Sequence, residues 1–401
     1  MAAAADRRAL LSSPAVRALA LAGLAAFFVS FDSAVLVLAL PAISADFRTP
    51  VAGVDRLGSA LALGTLAALP IAMQADRLGR RRLLVLAEAG FSLANLASAW
   101  SPSLGWLAAS RVVAVCFETV AAGTATALVV EEVAPGRRGM AVAAITVAAG
   151  AGTGLTTLLY PVLAPNWRAL YLIGGSGLVG AAVLAALLRE SRAWTASVAA
   201  GVPRLPLRML LEPPWRARLA VVALSAALGA LLYQPAGLLS ALFGSRELGL
   251  SPTLISAVMV VSGLASVPAF LAGGRLSDRL GRRRLGAGLG LLTAVATAIA
   301  FAGGQPAYWA GNVVWSVLAS ASVPVLGAWY AELFPTRARA TSEAVGSVAG
   351  ALGGAAGFQL VAVLQPWLGL GRSLFLPAAA AVAASGLLLL LPETRGEALS
   401  P

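Results

Sequence analysis

The feature that most constrains this chain is a succession of long apolar stretches separated by short clusters of arginine. A helix that crosses a bilayer needs about 20 mostly apolar residues. Twelve such stretches occur, at 16–41, 53–75, 83–100, 104–130, 139–162, 168–188, 217–243, 252–274, 285–303, 306–331, 341–366 and 371–391. They predict an all-α membrane protein of twelve transmembrane helices. Hydrophobic residues make up 59% of the 401 residues and charged residues 11%, where a soluble domain carries roughly a quarter charged. That excludes a soluble domain, a disordered tail, a collagen-like chain and a disulfide scaffold. Met1 to Arg17 carries Arg7, Arg8 and Arg17, but the apolar run behind it continues too far for a cleaved signal peptide. It reads as the first span with a short cytoplasmic lead.

The net charge of +12 is carried by 29 basic residues, every one of them arginine. A nucleic-acid partner would need a basic face on a polar domain; here the arginines are sorted by side of the membrane instead. With both termini cytoplasmic, the inner segments hold 23 arginines and the outer segments five, Arg48, Arg56, Arg168, Arg246 and Arg372. Positive charge accumulates on cytoplasmic loops, so both ends are expected inside. The expected location is the plasma (inner) membrane of a bacterium, the Ala-, Gly- and Arg-rich usage being that of a GC-rich genome. Arg111 alone falls more than three residues inside a span.

The chain also repeats itself. Ala75-Asp76-Arg77-Leu78-Gly79-Arg80-Arg81-Arg82-Leu83 returns as Ser277-Asp278-Arg279-Leu280-Gly281-Arg282-Arg283-Arg284-Leu285, an offset of 202. Glu132-Val133-Ala134-Pro135 returns as Glu332-Leu333-Phe334-Pro335, and Arg189-Glu190-Ser191-Arg192 as Pro392-Glu393-Thr394-Arg395, at offsets of 200 and 203. Two six-span halves in the same orientation follow, related by an axis along the membrane normal. The expected organisation is a six-helix bundle over 1–188, a proline-rich cytoplasmic linker over 189–216 and a second bundle over 217–401.

These residues resemble the major facilitator superfamily of secondary transporters. Gly274-Arg275-Leu276-Ser277-Asp278-Arg279-Leu280-Gly281-Arg282-Arg283 matches the superfamily's loop signature at its defining positions; the first-half copy departs from it with Ala72 and Gln74. Tyr330-Ala331-Glu332-Leu333-Phe334-Pro335-Thr336-Arg337 and Pro392-Glu393-Thr394-Arg395-Gly396 are similar to the sugar-porter and metabolite–proton symporter branches. The resemblance implies alternating access, a monomer, and a cytoplasmic gate in which carboxylate–arginine pairs latch the two halves. Residues expected in that gate are Asp76, Gly79, Arg80, Glu132, Arg138, Gly274, Asp278, Gly281, Arg282, Glu332 and Arg339. The pairs expected are Asp76 with Arg80, Asp278 with Arg282, Glu132 with Arg138 and Glu332 with Arg339. Gly79 and Gly281 permit a tight turn.

Ionisable groups inside a membrane cost several kcal/mol, so each calls for a function or a partner. Asp32 lies about 13 Å and Arg111 about 8 Å from the outer ends of their spans, at 1.5 Å per residue, close enough in depth to pair. Glu118 is seven residues after Arg111, on the same helix face. Asp32 and Glu118 are therefore candidates for proton coupling, and Arg111 for the group that substrate and carboxylate compete for. Glu88 and Glu343 stand within a turn or two of the inner arginines and are expected in the cytoplasmic charge network. In the second half, Tyr233, Gln234, Asn312, Trp315 and Gln359 are the candidate polar contacts to substrate. Small residues from Gly346 through Gly357 predict close helix packing.

There is no histidine and one cysteine, Cys116, so no metal site, cofactor or nucleophile–base constellation is expected. The chain therefore reads as a transporter and not an enzyme. It is expected to move a small organic solute with a proton as coupling ion, by symport, with proton-driven efflux of a drug or metabolite as the alternative.

Overall fold

The computed structural model describes residues 14–49, 51–72, 78–133, 138–192, 194–195, 210, 212–213, 215–334 and 339–394. Among the described residues the secondary structure is helical, with no strand. The helices are α1 (Pro14–Asp46), α2 (Val51–Ala72), α3 (Arg80–Ala99), α4 (Leu104–Glu132), α5 (Arg138–Leu163), α6 (Trp167–Gly175) and α7 (Gly177–Leu187). They continue as α8 (Trp215–Arg246), α9 (Pro252–Leu280), α10 (Arg282–Ala302), α11 (Gln305–Leu333), α12 (Arg339–Arg372) and α13 (Phe375–Leu388). Helix occupies each of the twelve apolar stretches. Nine helical segments among the described residues are long and apolar enough to cross a membrane. The last helix, α13, is a shorter apolar rod.

Local chemistry accounts for the helix ends and breaks. Ser103 and Ser251 cap α4 and α9, their hydroxyls accepting the N–H groups of Trp106 and Leu254 at 3.2 and 3.3 Å. The rod of α6 and α7 is interrupted at Ser176. There the Ser176 N–H goes to Ile173 and the Ser176 carbonyl accepts Val179 N–H, both three residues apart instead of four. Gly369, at φ 75° and ψ 167°, kinks α12.

Contacts divide the chain into two compact units, Met1–Ala42 with Leu63–Pro203 and Ile43–Ala62 with Arg204–Pro401. In the first, α3 packs along α4 and against α6 and α7. Its core joins Leu21, Ala22 and Ala25 of α1, Leu84, Ala87 and Phe91 of α3, and Ala114, Ala121, Ala125 and Leu128 of α4. Alanine at so many core positions lets helix axes come close. In the second unit α8 packs on α12 and α13, and α11 on α9 and α10. A Cβ at Gly353 or Gly357 would strike the carbonyl oxygens of Ala227 and Leu231. The four-residue spacing is the same on both helices, so α12 lies directly on the α8 backbone, as the small-residue run predicted. Large apolar side chains such as Leu158, Val162, Leu264, Val267 and Leu271 stand exposed, as surfaces covered by lipid do.

Candidate functional site

The site lies in the first unit, where α1 and α4 each carry charge into the apolar interior. Arg111 of α4 clamps Asp32 of α1 with both terminal nitrogens, Nη1 to Oδ1 at 2.7 Å and Nη2 to Oδ2 at 3.1 Å. The two side chains are 2% and 0% exposed. Such a fork-to-fork pair is the strongest geometry available to a guanidinium and a carboxylate. The Tyr171 ring of α6 lies against the guanidinium, 4.8 Å from its centroid, so the cation is held on a second side by an aromatic face. Arg111 Nε has no partner.

Two turns along α4, Glu118 is also buried. Ser33 Oγ donates to its Oε2 at 3.1 Å, and Ser33 is the chain neighbour of Asp32. The cluster is thus two carboxyls and one guanidinium. All three charged residues expected from the sequence meet here. Ser33 and Tyr171 were not expected, because a serine or a tyrosine within an apolar span carries no signal of its own.

The second-half candidates are placed differently, and they are described within their own unit. Tyr233 donates its hydroxyl to the Gly290 carbonyl at 3.2 Å. Gln234 is exposed, with its side chain over Gly354. Gln359 donates to Ser59 Oγ at 2.8 Å, and Trp315 is half-buried. Asn312 is committed to packing: Nδ2 donates to the Tyr308 carbonyl at 2.8 Å and Oδ1 accepts Ser240 Oγ at 3.2 Å. It occupies the seventh residue beyond the first of α11, as Arg111 does in α4. The repeat thus puts a neutral network, Ser240–Tyr308–Asn312, at the register of the charged one.

At the inner helix ends the structure corrects several pairings. Arg282 is bound by Glu332, Nε to Oε2 at 2.6 Å and Nη2 to Oε1 at 2.7 Å, with exposed Asp278 at 3.2 Å. Glu332 also accepts Thr394 Oγ1 at 2.6 Å; it was expected to meet Arg339, whose side chain lies outside the described residues. In the first half Arg80 pairs with Glu131 at 3.1 Å, while Glu132 accepts the Arg192 N–H at 2.7 Å. Glu131 is the true register partner of Glu332, each being the penultimate residue of its helix; an offset of 200 had pointed one residue too far. These pairs join helix ends within one half, not one half to the other. Asp76 lies outside the described residues, as does the Arg138 side chain.

Glycine in the loop motif has a specific cause. Gly79 and Gly281 sit at φ 89° and 90°, a conformation that costs a side-chain-bearing residue energy, and a Cβ there would meet Glu190 or Glu393. Those carboxylates cap α3 and α10: Glu190 Oε1 accepts Arg80 and Arg81 N–H at 2.7 and 3.1 Å. Glu393 accepts Arg282 and Arg283 N–H at 2.9 and 3.0 Å. Gly274 has room for a methyl group; its neighbour Gly273 is the one pressed on the Ala321 backbone. Glu88 does not join the inner charge network: it is fully buried and neither oxygen has a partner.

The family model "Major Facilitator Superfamily" matches residues 22–244 and 230–401. The chain belongs to the Major Facilitator Superfamily. It is accordingly a multi-pass membrane transporter and not an enzyme. The multidrug efflux pump LfrA of Mycolicibacterium smegmatis is 40% identical over 96 residues, 23% of this chain and 19% of that protein. The gallate transporter of Pseudomonas putida is 32% identical over 163 residues, 39% and 36% of the two chains. A probable 4-methylmuconolactone transporter of Cupriavidus pinatubonensis is 26% identical over 92% of this chain and 89% of its own. Among solved structures, a D-xylose–proton symporter superposes with a TM-score of 0.74 at 19% identity, over 96% and 99% of the chains. That likeness bears on the fold.

Proposed function

We propose that this transporter carries a small organic acid together with a proton, inward across the plasma membrane of a bacterium, as a monomer. The observation that carries this reading is the buried Asp32–Arg111 clamp with the Glu118 carboxyl beside it. With one proton on Glu118 the cluster is neutral, and Asp32 holds both terminal nitrogens of the guanidinium. A second proton neutralises Asp32 and releases its hold. Arg111 then presents an uncompensated cation in an apolar interior, which demands an anion. A carboxylate from the substrate meets that demand in the same bidentate geometry. Proton and organic anion thus bind as a neutral pair, and neither is stable alone. Names of two relatives, gallate and 4-methylmuconolactone transporters, suit such a substrate. Tyr233, Gln234, Trp315 and Gln359 are the second-half side chains proposed to shape the substrate's non-acidic part. The inner pairs around Arg80 and Arg282 are proposed as parts of the cytoplasmic gate, each bracing the helix ends of its own half.

The test is uptake by reconstituted vesicles. Radiolabelled gallate or 4-methylmuconolactone should accumulate when the outside is acidic, and the medium should turn alkaline as it does. Asp32→Asn should keep exchange of labelled for unlabelled acid but lose accumulation driven by the pH gradient. Uptake indifferent to the gradient would sink the coupling. The likeness to LfrA favours a second reading, proton-driven export; expulsion of a fluorescent lipophilic cation, with no acid uptake, would decide for it.

A further inference from the structure

On α3, Glu88, Ser92 and Asn95 fall at i, i+4 and i+7, one above another on a single face. All three are fully buried. Both oxygens of Glu88, the Ser92 hydroxyl and both amide atoms of Asn95 are without a hydrogen-bond partner. The opposing surface is the glycine row of α6 and α7. A Cβ on Gly180 would lie 3.3 Å from Glu88 Oε1, one on Gly177 would lie 3.4 Å from it and 2.5 Å from Ser92 Oγ, and one on Gly174 would lie 3.0 Å from Asn95 Nδ2. Bare backbone therefore closes over a polar stripe, at the place where the rod breaks at Ser176. Interrupted helices beside buried polar groups are how membrane transporters build ion sites.

Among the described residues none is seen to serve Glu88 as a counter-ion. No residue of α7 is titratable. Arg81, two turns inward on α3, donates Nη2 to the Ala185 carbonyl at 2.5 Å. Tyr171 of α6 and Asp32 of α1 are engaged with Arg111, and Arg168 of α6 lies over Trp167 and donates to the Ser101 carbonyl; on α4, Glu118 accepts Ser33 Oγ, Glu131 pairs with Arg80, Glu132 accepts the Arg192 N–H, and Cys116 is a thiol. Phe28 of α1 closes the last side: its ring, like Glu88 Oε1, stands within 3.5 Å of a Cβ built on Gly177 or Gly180. An isolated carboxylate cannot be held in such a place, and the group is neutral.

We propose that Glu88 is a second proton-binding carboxyl. It lies inward of the Asp32–Arg111–Glu118 cluster, with Ser92 and Asn95 as the polar steps toward that cluster. Phe28 is one turn from Asp32, and Gly174 one turn from Tyr171, so both ends of the stripe abut the elements that hold Arg111. The proton is held while α7 lies on α3 and is released when water reaches the stripe. Binding at Glu88 stands by itself; its use in transport rests on the proton-coupled reading above.

Infrared difference spectroscopy on the full chain in lipid vesicles, without substrate, tests it. At neutral pH a carboxylic-acid carbonyl band is expected that disappears on alkalinisation, is absent from Glu88→Gln and persists in Asp32→Asn. Loss of a carboxylate band in Glu88→Gln instead, or a Glu88-dependent acid band that alkali never removes, would overturn the proposal. Asn95→Leu leaves the acid in place and should slow its deprotonation; an unchanged rate would remove the path. Melting curves of all three variants identify loss of fold. If vesicles show no proton-coupled uptake yet the Glu88 band titrates, the transport reading has failed and the binding site has not.

Discussion

In the proposed coupling Arg111 is the residue on which the chemistry turns, because its fork makes two parallel bonds to one buried carboxylate. Lysine would keep the charge and lose the fork. A hydrogen bond to a charged group is worth about 1.5–3 kcal/mol. Arg111→Lys should therefore weaken binding of an organic acid about 10- to 100-fold, measured as the half-saturation for vesicle uptake. An unchanged half-saturation would mean that the substrate never reaches this guanidinium. Asp32, Arg111 and Glu118 were legible from sequence because a charge in an apolar span is conspicuous and costly. Tyr171 and Ser33 were not, since aromatic and hydroxyl residues fit a helix interior without needing any partner. Asn312 misled for the converse reason: a polar side chain in a span has to bond to something, and here it bonds to its own bundle.

At the scale of elements, the loop motif is a device for starting a helix. Glycine at φ near 90° turns the chain sharply, and a carboxylate from the end of the unit binds the first two N–H groups of the next helix. Negative charge at a helix N-terminus is favourable in its own right. Glu190→Ala and Glu393→Ala should each destabilise by about 0.5–2 kcal/mol, as lost caps do. The melting temperature of the detergent-solubilised protein should fall in both. A double variant should lose close to the sum, since the two caps belong to separate units. A fall in one and none in the other would mean that the repeat is similar in form but unequal in energetics. The recurrence of Glu190 as Glu393 was visible in the sequence; its purpose was not, because a cap depends on backbone direction that residue spacing does not specify. The same limit explains Glu131, one position from the residue that the offset named.

For the whole molecule, the lopsided placement of arginine is an argument about which side each loop occupies. Long apolar helices alone leave the direction of the first crossing open, whereas a 23-to-5 division of arginines predicts it. The structure supplies helices for every stretch, and no bilayer is needed to draw them; orientation is a matter of charge. It can be read directly, because the one native thiol, Cys116, is buried and Cys116→Ala gives a cysteine-free background. A cysteine placed at Leu248, between α8 and α9, should react with a membrane-impermeant maleimide in intact cells. One placed at Arg192, after α7, should react only once the membrane is opened. Cysteines at Ser103 and Gly303 should follow Leu248, since each precedes a helix that starts on the outer side. If Arg192 labels from outside, or Leu248 and Ser103 disagree, a crossing has been miscounted. The inner position of Glu88 relative to Arg111 would then have to be reversed, and with it the side from which its proton leaves.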